Sequence, residues 1–258
     1  MSFQKVALII NPNASKSILK SNFILKLLNI QTFSDDIGSI YKKDFSVLLR
    51  HLESLDLNTT PFFTKYAKHA TKIAKDCIKD NFDLIAVAGG DGTVNEVIQA
   101  MAGSDTTLAI LPCGTANVLA TSLGYPTKFT EICKKIVTGK SEYMDLGKCN
   151  KRYFSCMTGL GLDAHIINHA ENLKKIFGPL GYVIAGFGHL IFCSLNPFEV
   201  QINGTQKKHT TTFAIAFNIG FYGGKYQIIP SATPNDGLLH LCIFKTTSRL
   251  KLLYAFFQ

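Results

Sequence analysis

The sequence predicts an α/β fold in which a doubly wound parallel-sheet domain, residues 1–140, precedes a β-rich antiparallel sandwich domain, residues 141–258. Short apolar runs alternate with helical patterns in the first part, as in strands that are buried on both faces of a parallel sheet. After about Gly139 the pattern changes to short extended segments separated by turn signals, which is typical of antiparallel β-structure. With 47% hydrophobic and 17% charged residues among 258, the chain is globular and long enough to bury a sizeable core.

The first domain contains four predicted extended segments, at residues 6–10, 59–64, 84–88 and 108–111. Helices are predicted after the last three of these: one with the apolar face Ala67, Ala70, Ile73, Ala74, Cys77 and Ile78, one from 94 to 101, and one from 116 toward 123. This alternation predicts parallel strands joined by crossover helices. Because ligands bind outside the carboxyl ends of such strands, the loops after Ile10, Ala88 and Leu111 are expected to share one edge of the sheet.

The second domain contains two hairpin signals. Residues 149–152 form a turn, and Asn203-Gly204 is a strong two-residue turn signal. The predicted strands are residues 143–148, 153–157, 198–202, 210–217 and 237–244, with one or two helices between 165 and 195.

Residues 89–93, Gly-Gly-Asp-Gly-Thr, lie where the apolar run 84–88 meets a predicted helix. Glycines at such a junction let backbone N–H groups approach an anion, and the helix N-terminus adds its positive dipole end. Asp91 would repel phosphate unless a divalent cation lay between them, so the loop indicates a metal-nucleotide complex. A purely structural turn is the alternative on spacing alone, because many strand-to-helix connections need glycine to change direction.

The formal net charge of +9 favours phosphorylated ligands, nucleic acid or an anionic bilayer as partners. Nucleic acid is the weakest of the three, because the sequence has no arginine-rich helix, zinc-finger spacing or aromatic RNA-binding signature. Seven scattered cysteines without a CxxC pair indicate reduced thiols in the cytoplasm, and the N-terminus lacks a signal-peptide pattern. The longest apolar stretch, 180–195, contains three glycines and is shorter than a membrane span, so no transmembrane segment is predicted.

Three further groups of residues have ordinary interpretations. His165 and His169 share helical spacing, but without a third ligand they are expected to serve packing or the surface. Ser155 and Cys156 have no recognisable base partner, so hydrolase and thiol chemistry are not predicted. Several cations either meet anionic headgroups or lie on a solvated surface: Lys148, Lys151, Arg152, Lys174 and Lys175.

Six motifs follow one another along nearly the whole chain: Asn11-Pro12, residues 89–96, 111–117, 145–147, 159–164 and 234–239. In this combination and order the chain resembles the diacylglycerol kinase catalytic family, particularly the bacterial soluble lipid kinases, which are related to sphingosine and ceramide kinases. The glycine loop alone is also similar to those of NAD kinases and 6-phosphofructokinases.

The resemblance implies that ATP binds in a cleft between the domains and that the second domain helps to place a lipid. It implies Asp91 as the catalytic residue, acting through Mg²⁺ and orienting the acceptor hydroxyl. The residues implied to bind the nucleotide are Asn11, Thr64, Gly89, Gly90, Gly92, Thr93, Val94, Asn95, Glu96, Gly114, Thr115 and Asn117. Thr64 could instead end a strand, and Thr115 could also cap a helix that starts at Ala116.

The resemblance also implies a second magnesium site, away from the phosphates, that shapes the β-rich domain. It would use the carboxylate of Asp236 and the backbone carbonyls of Thr233 and Leu238, which are hard oxygen ligands. An ordinary Asp-Gly turn is an equal alternative from the sequence.

Bacterial relatives continue beyond a helix that begins near Ser248, and their later segment carries an acidic residue proposed as a general base. We therefore expect the second domain to be incomplete at Gln258 and turnover to be weak or absent.

The function expected from the resemblance is phosphorylation of diacylglycerol or a related glycerolipid, with ATP and Mg²⁺. The enzyme would be cytoplasmic and bound peripherally to an anionic membrane surface, and a homodimer is left open. Two alternatives remain: a small-molecule kinase similar to NAD kinase, and a truncated nucleotide-binding protein with little or no activity.

Overall fold

The computed structural model describes residues 3–14, 50, 52–54, 57–126, 128–161, 196–202, 204–222 and 226–244. The helices predicted between 165 and 195 lie outside the described residues, together with the histidine pair, Lys174 and Lys175 of that segment. The helix predicted near Ser248 lies outside them as well. The structure has a parallel α/β half followed by an antiparallel β-rich half. This confirms the fold class predicted from the sequence.

In the part of the chain that the structure describes, four parallel strands form the sheet of the first half: β1 (Val6–Ile10), β2 (Thr59–Phe63), β3 (Leu84–Gly89) and β4 (Thr107–Pro112). Their spatial order is β2-β1-β3-β4. The chain therefore winds to one side of β1 to make β2 and to the other side to make β3. Such a reversal opens a crevice at the carboxyl ends of the two central strands, where ligands of α/β proteins bind.

Helices cover both faces of this sheet: α1 (His69–Lys79), α2 (Asp91–Met101), α3 (Val118–Ser122) and α4 (Phe129–Thr138). Alternate strand residues face opposite sides, so α1, α2 and α3 pack with Ala7 and Ile9, whereas α4 packs with Leu8 and Ile10. The predicted apolar face of α1 is buried at Ala70, Ile73, Ala74 and Cys77, but Ala67 is exposed and precedes the helix.

The second half is built from short strands: β5 (Gly147–Cys149), β6 (Arg152–Phe154), β7 (Met157–Gly161), β8 (Phe198–Gln201), β9 (Lys208–Thr211), β10 (Phe213–Phe217), β11 (Phe221–Tyr222), β12 (Tyr226–Gln227) and β13 (His240–Ile243). One antiparallel sheet has the order β13-β10-β7. The remaining pairs are the hairpins β5-β6, β8-β9 and β11-β12.

Several strands of the second half differ from the prediction. The strand predicted over 143–148 begins only at Gly147, where its pairing with β6 begins, and the one predicted over 153–157 is divided between β6 and β7. The strand predicted over 210–217 is divided at Thr212, because β9 pairs with β8 whereas β10 pairs with β7 and β13. β8 ends at Gln201 and β9 begins at Lys208, so their connection is longer than the two residues that Asn203-Gly204 suggested. The turn signal therefore marks the correct hairpin but the wrong loop length.

The two halves share an apolar interface. Ile219, which follows β10, is 2% exposed and belongs to the cluster formed by α1, α2 and one face of the parallel sheet. Partly buried side chains of the second half pack against the same cluster, among them Met144, Leu146, Tyr153, Cys156 and Phe221. The β-rich half is therefore packed against the side of the sheet that carries α2.

Candidate active site

Backbone hydrogen bonds bring the loops after three neighbouring strands together. The N–H of Asn11 donates to the carbonyl of Ala88 at 3.0 Å, and the N–H of Cys113 donates to that of Gly89 at 2.9 Å. On the other side of β1, the N–H of Thr64 donates to the carbonyl of Ile10 at 2.9 Å. The predicted shared edge is thus present, and Asn11, Thr64 and the glycine loop all lie along it.

The glycines of this edge allow two backbones to touch. A Cβ on Gly114 would lie 2.5 Å from the Cα of Gly90, and a Cβ on Gly89 would lie 2.7 Å from the Cβ of Thr93. A Cβ on Gly92, in contrast, would meet nothing within 4 Å. Gly89, Gly90 and Gly114 are therefore required by packing, while Gly92 borders open space at the first turn of α2.

A side chain in the loop after β1 holds the first turn of α2 in place. The side-chain amide of Asn11 donates to Oγ1 of Thr93 at 2.9 Å, and Thr93 is 7% exposed. The Oδ1 of Asn11 accepts a hydrogen bond from the N–H of Asn13 at 3.0 Å. Asn11 therefore orders its own loop and the glycine loop together.

The loop after β4 is closed by Asn117. Its Oδ1 accepts from the N–H of Gly114 at 2.9 Å, and its Nδ2 donates to the carbonyl of the same residue at 2.8 Å. Asn117 adopts a left-handed conformation with φ of 45°, and α3 begins after it at Val118 rather than at Ala116. The suggested capping role of Thr115 is therefore wrong, because Thr115 lies inside the loop.

Asp91 occupies the first residue of α2, where the helix dipole favours a negative charge. Its Oδ1 lies 3.5 Å from the backbone N of Leu119, at the start of α3. Burial raises the pKa of the Cys156 thiol to about 12, and the charge of Asp91 adds to that rise. Asp91 therefore lies beside the start of α3.

Glu96 is directed toward α1. Its Oε1 accepts from the N–H of Lys68 at 2.8 Å, and its Oε2 accepts from the N–H of Ala70 at 3.3 Å. Lys68 has a φ of 67°, and α1 begins without a side-chain cap of its own at that residue. The Glu96 carboxylate thus supplies from α2 the cap that α1 lacks, a role that the sequence did not indicate.

The loop at 233–238 is organised around Asp236. Its Oδ2 accepts from the N–H of Thr233 at 3.1 Å, and its Oδ1 accepts from the N–H of Leu238 at 2.8 Å. The Nε2 of His240 lies 3.1 Å from Oδ2. The hydrogen bond with His240 has the largest effect on the pKa of the Asp236 carboxyl, and together with the two backbone N–H groups it lowers that pKa. An ionised carboxylate is a hard oxygen donor of the kind that Mg²⁺ prefers.

Sequence reasoning did not include Asp145 in this site. Its Oδ2 accepts from the N–H of Gly237 at 2.7 Å, and its own N–H donates to the carbonyl of Pro234 at 2.7 Å. Only its place in the Asp-Leu-Gly motif could have singled it out. Among the described residues there is no group of three His, Cys, Asp or Glu side chains able to hold a metal, so a cation here would need backbone carbonyls or water as further ligands.

Two family models together match most of the chain. The diacylglycerol kinase catalytic domain matches residues 38–149, and the YegS C-terminal NAD kinase beta sandwich-like domain matches residues 156–258. A diacylglycerol kinase of Bacillus subtilis is 32% identical over 212 residues, which are 80% of this chain and 69% of that protein. The chain belongs to the diacylglycerol kinase catalytic family.

Other members of this lipid kinase family are similarly close. A diacylglycerol kinase of Mycobacterium tuberculosis is 32% identical over 197 residues, covering 74% of this chain and 64% of that protein. A probable lipid kinase YegS-like of Klebsiella pneumoniae is 33% identical over 194 residues, covering 72% and 64%. The match therefore spans about two thirds of the length of these curated relatives.

Solved structures show the same fold. A crystal structure of a diacylglycerol kinase from Bacillus anthracis has a TM-score of 0.73 at 24% identity, covering 100% of this chain and 79% of that one. A structure of a putative diacylglycerol kinase from the same organism has a TM-score of 0.71 at 25% identity, covering 98% and 79%. In the part of the chain that the structure describes, no helix has the length and apolar character needed to cross a membrane.

Proposed function

We propose that this member of the diacylglycerol kinase family transfers the γ-phosphoryl group of ATP to the hydroxyl of diacylglycerol or a related glycerolipid. One observation carries the proposal: the loops after β1, β3 and β4 meet at the first turn of α2, where Gly92 borders open space. A helix N-terminus reached through glycines is a binding site for phosphate. Family membership adds the lipid as acceptor.

In this proposal the triphosphate lies against residues 89–95, with Thr64 and the loop 114–117 beside it. Asn11 positions the glycine loop through its hydrogen bond to the hydroxyl of Thr93. Asn117 holds the backbone of Gly114 in place. Phosphoryl transfer depends mainly on such positioning and on neutralising charge. The protein's contribution is then a rigid arrangement of loops around the N-terminal end of α2, where the helix dipole favours the phosphates.

Asp91 is the proposed catalytic residue. Mg²⁺ bound with ATP would neutralise part of the phosphate charge. Asp91, at the start of α2 and beside α3 and the second half, can hold that complex and accept a hydrogen bond from the acceptor hydroxyl, which orients its oxygen toward phosphorus. The hydrogen bonds between Gln99 of α2 and Tyr153 of β6 bring the second half against the same helix, which supports an acceptor site between the two halves.

A further Mg²⁺ is proposed at the 233–238 loop, with the Asp236 carboxylate and the carbonyls of Thr233 and Leu238 as its ligands. This cation would supply charge neutralisation within the loop and take no part in phosphoryl transfer. Asp145 and Asp236 already accept three backbone N–H groups of the loop between them, so they hold its conformation.

Contact with an anionic membrane surface from the cytoplasmic side is part of the proposal. The net charge of +9 and the exposed cations Lys148, Lys151 and Arg152 of the β5-β6 hairpin support it. Binding to vesicles that rises with their content of anionic lipid would support this surface, and indifference to lipid charge would exclude it.

The acceptor is tested by offering radiolabelled ATP and Mg²⁺ with a panel of glycerolipids, sphingoid lipids and NAD, and separating the products. We expect label in diacylglycerol or a related glycerolipid and none with an Asp91→Ala control. Label in NAD alone would replace the lipid with a small-molecule acceptor. Nucleotide binding without any labelled product would instead identify a binding protein without turnover.

A further inference from the structure

One side chain joins α2 to the second half through both of its polar atoms. The Oε1 of Gln99 accepts from the N–H of Tyr153 at 2.9 Å, and its Nε2 donates to the carbonyl of Tyr153 at 2.9 Å. The Nε2 also lies 3.0 Å from the carbonyl oxygen of Asn95, one turn earlier in α2. The amide orientation is determined by its partners, because a backbone N–H only donates and a carbonyl only accepts.

Tyr153 is the central residue of β6, which pairs with β5. In an antiparallel strand the N–H and C=O of one residue point to the same side. Tyr153 therefore presents both groups to α2, on the edge away from β5, and Gln99 pairs with them as a neighbouring strand would. The Tyr153 side chain packs against the cluster that contains α2, so polar and apolar contacts reinforce each other.

The same face of α2 carries the proposed catalytic residue. Asp91, Asn95 and Gln99 are spaced four residues apart, which places them along one side of the helix. Asp91 lies at the phosphate end of this face, and Gln99 holds the second half at the other end. A short rigid helix thus connects the phosphate site to the strand that leads into β7.

We propose that Gln99 is a positioning residue that sets the place of the second half, and so of the acceptor hydroxyl, relative to Asp91. It does not touch the reacting atoms. The inference rests on the proposed function in that the acceptor is taken to bind against the second half. The nucleotide loops belong to the first half and are held by their own hydrogen bonds, so losing the Gln99 contact should affect transfer and leave nucleotide binding intact.

The test compares Gln99→Leu, which keeps the bulk and removes both polar atoms, with Gln99→Glu, which keeps an acceptor but turns a carboxylate toward two carbonyl oxygens. Gln201→Leu is the matched control, because Gln201 also donates to a backbone carbonyl, that of Thr205, but within one hairpin. Three quantities are measured: kcat with the lipid acceptor, the Kd for ADP, and hydrogen exchange of the Tyr153 amide. Thermal unfolding establishes that each variant is folded at the assay temperature.

For both Gln99 variants we expect kcat to fall roughly 10- to 100-fold, as for a displacement near 1 Å, with the Kd for ADP changed by less than about twofold. The Tyr153 amide should exchange up to about tenfold faster in Gln99→Leu. The ratio of ATP hydrolysis to lipid phosphorylation should rise, since water replaces a misplaced hydroxyl. A general loss of stability would not produce this pattern.

An unchanged kcat, or equal losses in kcat and ADP affinity, would overturn the proposal. So would Tyr153 exchange at the wild-type rate, because the contact itself would then be absent. If the wild-type protein phosphorylates no lipid, the proposed function fails separately. The role of Gln99 is then tested with the acceptor that the wild-type protein does phosphorylate and with the exchange rate of the Tyr153 amide.

Discussion

The side-chain amide of Asn11 donates a 2.9 Å hydrogen bond to the hydroxyl of Thr93, and this bond joins the loop after β1 to the first turn of α2. We predict a coupling energy of about 0.5–1.5 kcal/mol between Asn11→Ala and Thr93→Val in a double-mutant cycle measured by urea unfolding. Thr205→Val, in the β8-β9 hairpin, should add independently to Asn11→Ala. Additive effects of the Asn11 and Thr93 variants would show that the bond does not form.

Gly92 and Gly114 should respond oppositely to alanine. Gly114→Ala should lower the free energy of unfolding by about 1–3 kcal/mol, because its Cβ would lie 2.5 Å from a backbone atom. Gly92→Ala should keep or raise stability, by up to about 1 kcal/mol, since it lies in a helix with open space around it. The methyl group that Gly92→Ala introduces should nevertheless weaken ADP binding about tenfold or more, as measured by the Kd for ADP. If this variant bound ADP as tightly as the wild type, the phosphates would have to lie elsewhere.

Glu96→Ala should destabilise the protein by about 1–2 kcal/mol, because two backbone N–H groups at the start of α1 lose their acceptor. Glu96→Gln, which keeps one acceptor, should cost less. Glu199→Ala is a suitable control, since Glu199 forms an exposed ion pair with Lys208 and its removal should change stability little. Urea unfolding and ADP binding are measured together; a large loss of affinity with unchanged stability would contradict the capping role.

The Asp236 carboxylate should make stability depend on acid pH. Its hydrogen bonds with His240 and with the N–H groups of Thr233 and Leu238 lower its pKa in the folded state. As the pH falls, the carboxyl of the unfolded chain is therefore protonated before that of the folded chain, near the ordinary Asp pKa of about 3.9. The stabilisation is complete above that pH and is lost as the pH falls through the lower pKa of the folded state. Urea midpoints between pH 6 and pH 3 should fall more steeply for wild type than for Asp236→Asn. Parallel curves for the two proteins would mean that Asp236 does not contribute to the pH dependence of stability.

The sequence was sufficient for features that depend on local pattern. The apolar runs ending at Ile10 and Ala88 form buried neighbouring strands, and the glycine loop after the second lies at the expected edge. The helix α2 begins at Asp91, three residues before the predicted start at Val94. Gly90 is extended, with ψ of −177°, so the helix begins immediately after it.

Features that depend on distant partners could not be predicted. Glu96 is part of the glycine-loop motif, yet its carboxylate caps another helix, because α1 and α2 lie side by side on the sheet. Gln99 looks like an ordinary helix residue, and only the docking of β6 gives its amide two backbone partners. The division of the strand at Thr212 likewise follows from pairing with three different strands.

The proposed lipid kinase activity is best measured as the turnover number for diacylglycerol in mixed micelles, with ATP and Mg²⁺, for the wild-type chain and Asp91→Asn. We expect a phosphorylated glycerolipid as the wild-type product and a loss of roughly 100-fold or more in kcat for Asp91→Asn, which removes the charge but keeps the shape. Equal turnover by the two proteins would contradict the role of Asp91. A wild-type chain that binds ATP but phosphorylates no lipid would contradict the proposed activity itself.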